Sequence, residues 1–150
     1  MALNVVVMAA GKGTRMKSAL PKVLHRLAGT CLLQHVLNAA AETGADRTIV
    51  ITGHGAEQVE AAVAAGGALF ARQMPQLGTG HAVQQALPLL PEAEDAADST
   101  TLILNGDVPL LRPATARALV QACAGRHLAL LTVVLADPFG YGRILRDERD

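Results

Sequence analysis

The sequence predicts an α/β fold, a mainly parallel sheet with helices on both faces. Three observations predict it. Strand-like and helix-like segments alternate along the chain, the pattern of βαβ units. The strand-like runs are hydrophobic, as strands covered on both faces are. Finally, the segments rich in glycine and charge follow the strands, which puts them together at the carboxyl edge of one sheet, where open α/β sheets bind ligands.

The elements follow in order. Asn4 to Met8, with three successive valines, predicts a central strand. Leu32 to Thr43 places Leu33, Val36, Leu37, Ala40 and Ala41 on one helical face, and Gly44 stops it. Arg47 to Thr52 reads as a second strand. Ala56 to Ala65 reads as a helix with Val59, Ala62 and Val63 inward, ended by Gly66 and Gly67. Ala68 to Ala71 is a short strand, and His81 to Leu87 starts a helix that Pro88 and Pro91 close. Thr100 to Leu104 is a strand and Pro113 to Ala124 a helix with proline in its first turn. Leu128 to Leu135 and Arg143 to Leu145 complete the series as strands. Glu92 to Ser99, acidic and rich in alanine, reads as a solvated loop.

With 150 residues the chain makes about one small domain. Hydrophobic residues make up 51% but aromatic ones only 2%, so the core must be built from Ala, Leu and Val. The formal net charge is zero and there is no long basic run, which argues against coating of nucleic acid. Cys31 and Cys123 have no CxxC spacing and read as reduced thiols on helix faces. The opening MALNVVVMAAGKG lacks the basic start of a signal peptide, and no run nears the ~20 apolar residues of a membrane span. A soluble, cytoplasmic protein is expected.

Four segments carry chemistry. In Gly11-Lys12-Gly13-Thr14-Arg15-Met16, glycines let backbone N–H groups approach phosphate oxygens. Arg15 offers a two-pronged phosphate contact, and Lys22, after Pro21, adds a point charge. GxxxxGK[ST] is absent, and Met16 stands where a dinucleotide fingerprint needs its third glycine. In Gln73 and Gln76-Leu77-Gly78-Thr79-Gly80-His81, the amide of Gln73 suits the imide edge of a pyrimidine, and the glycines permit close approach of a ring. A plain turn capped by Thr79 is the alternative. In Asn105-Gly106-Asp107-Val108-Pro109-Leu110, a carboxylate just past a buried strand suits a hard cation such as Mg²⁺, or simply a strand-exit turn. Asp137-Pro138-Phe139-Gly140-Tyr141-Gly142-Arg143 suggests a close-approaching turn or a hairpin. His25, His35, His54, His81 and His127 share no ligand spacing, and His25 and His35 fall on different turns of the first helical region. No Ser-His-Asp or Cys-His arrangement is visible.

Together these motifs resemble the nucleotidyltransferase superfamily, whose members carry GxGTR followed by PK after the first strand. Met8 to Met16, Leu20 to His25, Gln76 to Ala82, Gly106 to Leu110 and Gly140 to Arg143 are similar, in order over essentially the whole chain, to the N-acetylglucosamine-1-phosphate uridylyltransferase domain of the bifunctional bacterial enzymes. The resemblance implies a Rossmann-like nucleotidyltransferase fold of the nucleotide-diphospho-sugar transferase type. It implies that UTP and the uridine of the product meet the backbone of Met8, Ala9, Ala10, Gly11 and Gly13, the side chain of Gln73, and Gly78 with Thr79. Arg15 and Lys22 would act on the phosphates, Asn105, Gly106 and Asp107 would line the site, Asp107 would hold Mg²⁺, and Gly142 would lie beside the sugar. UTP and N-acetylglucosamine-1-phosphate would give UDP-N-acetylglucosamine and pyrophosphate for cell-wall precursor synthesis.

The family's domain is longer, and a left-handed β-helix acetyltransferase domain normally follows and drives trimers. Residues 1–150 are therefore expected to be the N-terminal portion of one nucleotidyltransferase domain, cut before further sugar and metal contacts and monomeric by themselves. The competing readings are a related cytidylyltransferase or guanylyltransferase, and a nucleotide-binding module without catalysis.

Overall fold

In the computed structural model the described residues are 2–91, 99–124 and 128–146. Four strands, β1 (Ala2–Met8), β4 (Arg47–Thr52), β5 (Leu69–Arg72) and β6 (Ser99–Asn105), form one sheet in the order β5-β4-β1-β6. All pairings in it are parallel. β1 lies inside the sheet, with Asn4 opposite Arg47 on one side and Ala2 opposite Ser99 on the other.

The apolar runs of β1 and β4 are explained by two cores, whereas β6 alternates, with Leu102 and Leu104 buried and Ile103 44% exposed. Val5 and Val7 of β1 join Val50, Leu102 and Leu104 on one face, packed against α1 (Leu32–Ala41), α2 (Ala56–Val63) and α4 (Pro113–Cys123). Val6 joins Ile49 and Ile51 on the other face, under Ala82 and Ala86 at α3 (Thr79–Gln84). Successive side chains of a strand point to opposite faces, so only a strand covered on both can be valine throughout. Helices do cover both faces of a parallel sheet, as the sequence predicts.

Element boundaries shift modestly. α1 ends at Ala41, and Thr43 caps its last carbonyls by donating its hydroxyl to Ala40 O at 2.6 Å. Leu33, Val36, Leu37 and Ala40 are buried as expected, but Ala41 is exposed and Ala39 takes a buried place. Ala62 of α2 is likewise exposed. α3 begins at Thr79, which is thus its first helical residue and not its cap.

Four expectations are overturned. Leu128 to Leu135 and Arg143 to Leu145 form no strand, and Val134 and Leu145 are 100% and 89% exposed. An apolar run becomes a strand only where a neighbour pairs its backbone groups; among the described residues this segment joins no sheet, and its first part flanks a 690 Å³ groove with α4 and β6. His25 is not helical. It lies in extended backbone after a short 3₁₀ turn (Lys22–Leu24) and leads into a small antiparallel hairpin, β2 (Arg26–Leu27) with β3 (Thr30–Cys31). Cys31 therefore sits in a strand, not on a helix. The loop expected at Glu92 to Ser99 lies outside the described residues up to 98, as does His127, and Ser99 already belongs to β6.

The topology positions the site. From β1 the chain moves outward to β4 and β5, then returns to β6 on the other side of β1. Strand order reverses between β1 and β6, and a crevice opens beyond their carboxyl ends at such a switch point.

Candidate active site

The loop after β1 folds back on itself. Gly13 has φ +60°, and a Cβ there would sit 2.8 Å from Lys22 Cβ. Glycine is required both by the left-handed backbone and by this contact. A 3₁₀ turn (Thr14–Met16) follows, closed by Met16 N–H to Gly13 O at 2.9 Å. It presents Arg15 in solvent with no hydrogen bond or ion pair to any described residue. Pro21, itself buried, starts the second 3₁₀ turn and aims Lys22 back toward the sheet edge.

The exit of β6 meets it there. The Gly106 N–H donates to Met8 O at 2.9 Å and extends the β1–β6 ladder by one bond. A Cβ on Gly106 would meet that carbonyl at 3.0 Å and Leu33 Cδ1 at 3.2 Å. Gly106 is buried, and Asp107 directly after it lines the crevice. Lys22 Nζ donates to Asp107 Oδ2 at 2.5 Å, with both side chains about one-third exposed.

Gln73 forms the third wall. It is 3% exposed, and its N–H donates to Thr52 O at 2.8 Å, which continues β5 beside β4. Its Nε2 donates to Gly78 O at 2.9 Å and lies 3.1 Å from His81 Nδ1. The loop it ties down turns at Gly78, whose φ of +102° few side chains tolerate.

Behind this wall Glu60 of α2 accepts from the Thr52 hydroxyl at 2.7 Å and from Arg72 Nε and Nη2 at 3.0 and 2.8 Å. The Arg72 guanidinium holds the Glu60 carboxyl below its ordinary range; burial opposes this and the Thr52 hydroxyl assists it.

The three walls enclose a cleft of 610 Å³. Met8, Ala9, Ala10, Gly11, Gly13, Arg15, Lys22, Gln73, Gly78, Thr79, Asn105 and Asp107 all line it. Gly106, a candidate by sequence, is not part of the lining; it is buried against Met8 and Leu33. Gly142 is outside its lining, in an exposed turn where Phe139 N–H donates to Asp137 Oδ1 at 3.0 Å and Tyr141 N–H to Pro138 O at 3.1 Å. Sequence reasoning missed the side walls Val23 and Ala82, which look like ordinary core residues, and the contact of His81 with Gln73. A Gln and a His eight residues apart across a loop match no periodicity. The larger groove beside β6 takes in only Asn105 of the candidate residues.

A glycine-rich backbone, two cations and a carboxylate gather at the switch point of a parallel sheet, an arrangement suited to binding nucleotide phosphates. The chain belongs to the family described as MobA-like NTP transferase domain, which it matches over residues 5–145. It is 68% identical over 149 residues to the Bifunctional protein GlmU of Methylibium petroleiphilum, an alignment that takes in 97% of this chain and 31% of that protein. The chain thus spans about a third of the length of this curated relative. Among solved structures, a nucleotidyl transferase from Methanothermobacter superposes with a TM-score of 0.70 at 26% identity, over 80% of this chain and 57% of the other. The manganese complex of Rv0371C from Mycobacterium tuberculosis superposes with a TM-score of 0.67 at 26% identity, over 83% and 60% of the two chains. A divalent metal thus accompanies this fold in a structural neighbour.

Proposed function

We propose that the chain carries a sugar-phosphate uridylyltransferase site, joining UTP and N-acetylglucosamine-1-phosphate into UDP-N-acetylglucosamine and pyrophosphate for cell-wall precursors. The observation that carries this reading is the convergence of the GKGTR, PK, Gln73–Thr79 and NGD segments on one cleft. Identity of 68% to a GlmU protein supports the choice of substrates.

The chemistry asks little of acid–base groups. A phosphate oxygen of the sugar phosphate, anionic at neutral pH, attacks the α-phosphorus. The bond from that phosphorus to the β-phosphate oxygen breaks, and pyrophosphate leaves with the electron pair. The protein must bring two polyanions together and stabilise charge that grows on the leaving group. The backbone from Met8 to Gly13 cradles phosphate, Arg15 and Lys22 supply fixed positive charge, and Gln73 with Gly78 and Thr79 receives the base.

Asp107 is the group to hold Mg²⁺. Among the described residues no group of three or more His, Cys, Asp or Glu could cage a metal. One carboxylate in an open crevice suits an ion that takes one or two carboxylates and completes its shell with phosphate oxygens and water. When bound, Mg²⁺ supplies neutralisation of the phosphates. Lys22 must then leave Asp107 for the phosphates, which the partial exposure of both side chains permits.

The test is pyrophosphate release with N-acetylglucosamine-1-phosphate and a panel of UTP, CTP, GTP and ATP. Release with UTP alone is expected. Release with CTP or GTP in its place would make the protein a different nucleotidyltransferase, and tight UTP binding without release would make it a binding module.

A further inference from the structure

Gln73 is held in one orientation, and His81 does half of the holding. The Gly78 carbonyl can only accept, so the atom of Gln73 that faces it at 2.9 Å is the amide nitrogen. That nitrogen has two hydrogens. The second points to His81 Nδ1 at 3.1 Å, which requires the imidazole to accept there and to carry its proton on Nε2. Both hydrogens of Gln73 are then engaged within the protein. Its Oε1 accepts no hydrogen bond from any described residue and is not among the buried polar atoms sealed without a partner. The backbone of Gln73 is pinned to Thr52, and His81 rides on α3, where its carbonyl accepts from Gln85 Nε2 at 3.1 Å.

We infer that His81 is a positioning residue for base choice: it keeps Gln73 acceptor-only toward the cleft, so that the site takes bases presenting a ring N–H. This rests on the reading of the cleft as a nucleotide site. Of the two pyrimidines, uracil carries such a hydrogen, on N3. Cytosine N3 and adenine N1 are acceptors and would face Oε1 lone pair to lone pair. Without an acceptor at residue 81, the second amide hydrogen of Gln73 is released, the amide can turn or donate, and cytosine becomes tolerable.

Titration calorimetry of UTP and CTP against the wild-type protein, His81→Phe and His81→Asn tests this. Phenylalanine keeps a flat ring and removes the acceptor, whereas the asparagine oxygen falls near the place of Nδ1. One buried hydrogen bond governs a factor of roughly ten or more, so His81→Phe should reduce the UTP-over-CTP preference by about tenfold, and His81→Asn should retain most of it. An unchanged preference in His81→Phe, or an equal loss in both variants, overturns the positioning role and leaves the uridylyltransferase reading standing. A wild-type protein that does not prefer UTP sinks that reading itself. If His81→Phe does not fold, long-range ¹⁵N–¹H spectra of the wild-type imidazole decide alone: the proton belongs on Nε2, and a proton on Nδ1 overturns the inference.

Discussion

Lys22 Nζ and Asp107 Oδ2 lie 2.5 Å apart although 85 residues separate them in the chain. The group suited to a phosphate and the group suited to a cation neutralise each other across the crevice. A partly exposed pair of this kind contributes only about 0–1 kcal/mol to stability, so it opens readily when a metal–nucleotide complex offers each partner a better counter-charge. Asp107→Asn should therefore leave the urea midpoint almost unchanged. Pyrophosphate release at saturating Mg²⁺ should fall by about 10²–10³, the usual cost of a lost electrostatic stabiliser. Full turnover in this variant would remove Asp107 from the metal site.

Arg15 is exposed, lines the cleft and has no partner among the described residues, so it can meet charge that develops on departing pyrophosphate. Ground-state binding of the triphosphate is shared with backbone N–H groups, so the transition state should feel the loss more. Arg15→Ala should lower kcat by about 10²–10³ with a much smaller rise in KM for UTP. Arg15→Lys should recover only part, since an ammonium lacks the two-pronged geometry. Steady-state kinetics decide. A raised KM with kcat intact would make Arg15 a binding residue.

Gly13 combines a left-handed backbone with a 2.8 Å approach to Lys22 Cβ. Gly13→Ala should cost about 1–2 kcal/mol from the backbone alone, and more if Lys22 cannot move. Urea unfolding measures the first effect. Pyrophosphate titration measures the displacement of Lys22, which should weaken binding. Gly11→Ala is the control for the unfolding measurement alone, because a Cβ there meets no protein atom within 4 Å but would face the cleft that Gly11 lines.

Glu60 ties α2 to β4 and β5 through Thr52 and Arg72. Its folded-state carboxyl titrates below its ordinary value of 4.5, chiefly because of Arg72. Its stabilising contribution is therefore fully present above that value and is lost as pH falls through the lower, folded value. Wild-type stability should decline on acidification below about 4.5. Glu60→Gln should be less stable at neutral pH and show a shallower acid slope. Thermal melts across that range check it, and identical slopes would show that the pair carries no linkage.

What the sequence determined by itself is the class of fold and most of the residues that line the cleft. Three valines in a row, amphipathic helices between apolar strands, and motifs placed after strands suffice, because burial on two faces and the carboxyl-edge rule act through local patterns. Only the tertiary structure decided the strand order, the ion pair of Lys22 with Asp107, and the lock of Gln73 by Gly78 and His81. Each depends on pairing or contact between residues far apart in the chain, which no local period records. The same reason explains the failure at Leu128 to Leu135. Its side chains have the apolar character of a strand, but a strand is made by the neighbour that pairs with it, and beside β6 the described residues provide none. Gly142 shows the limit from the other side: its motif is recognisable in sequence, yet its place relative to the cleft is set by packing that the residues around it do not encode.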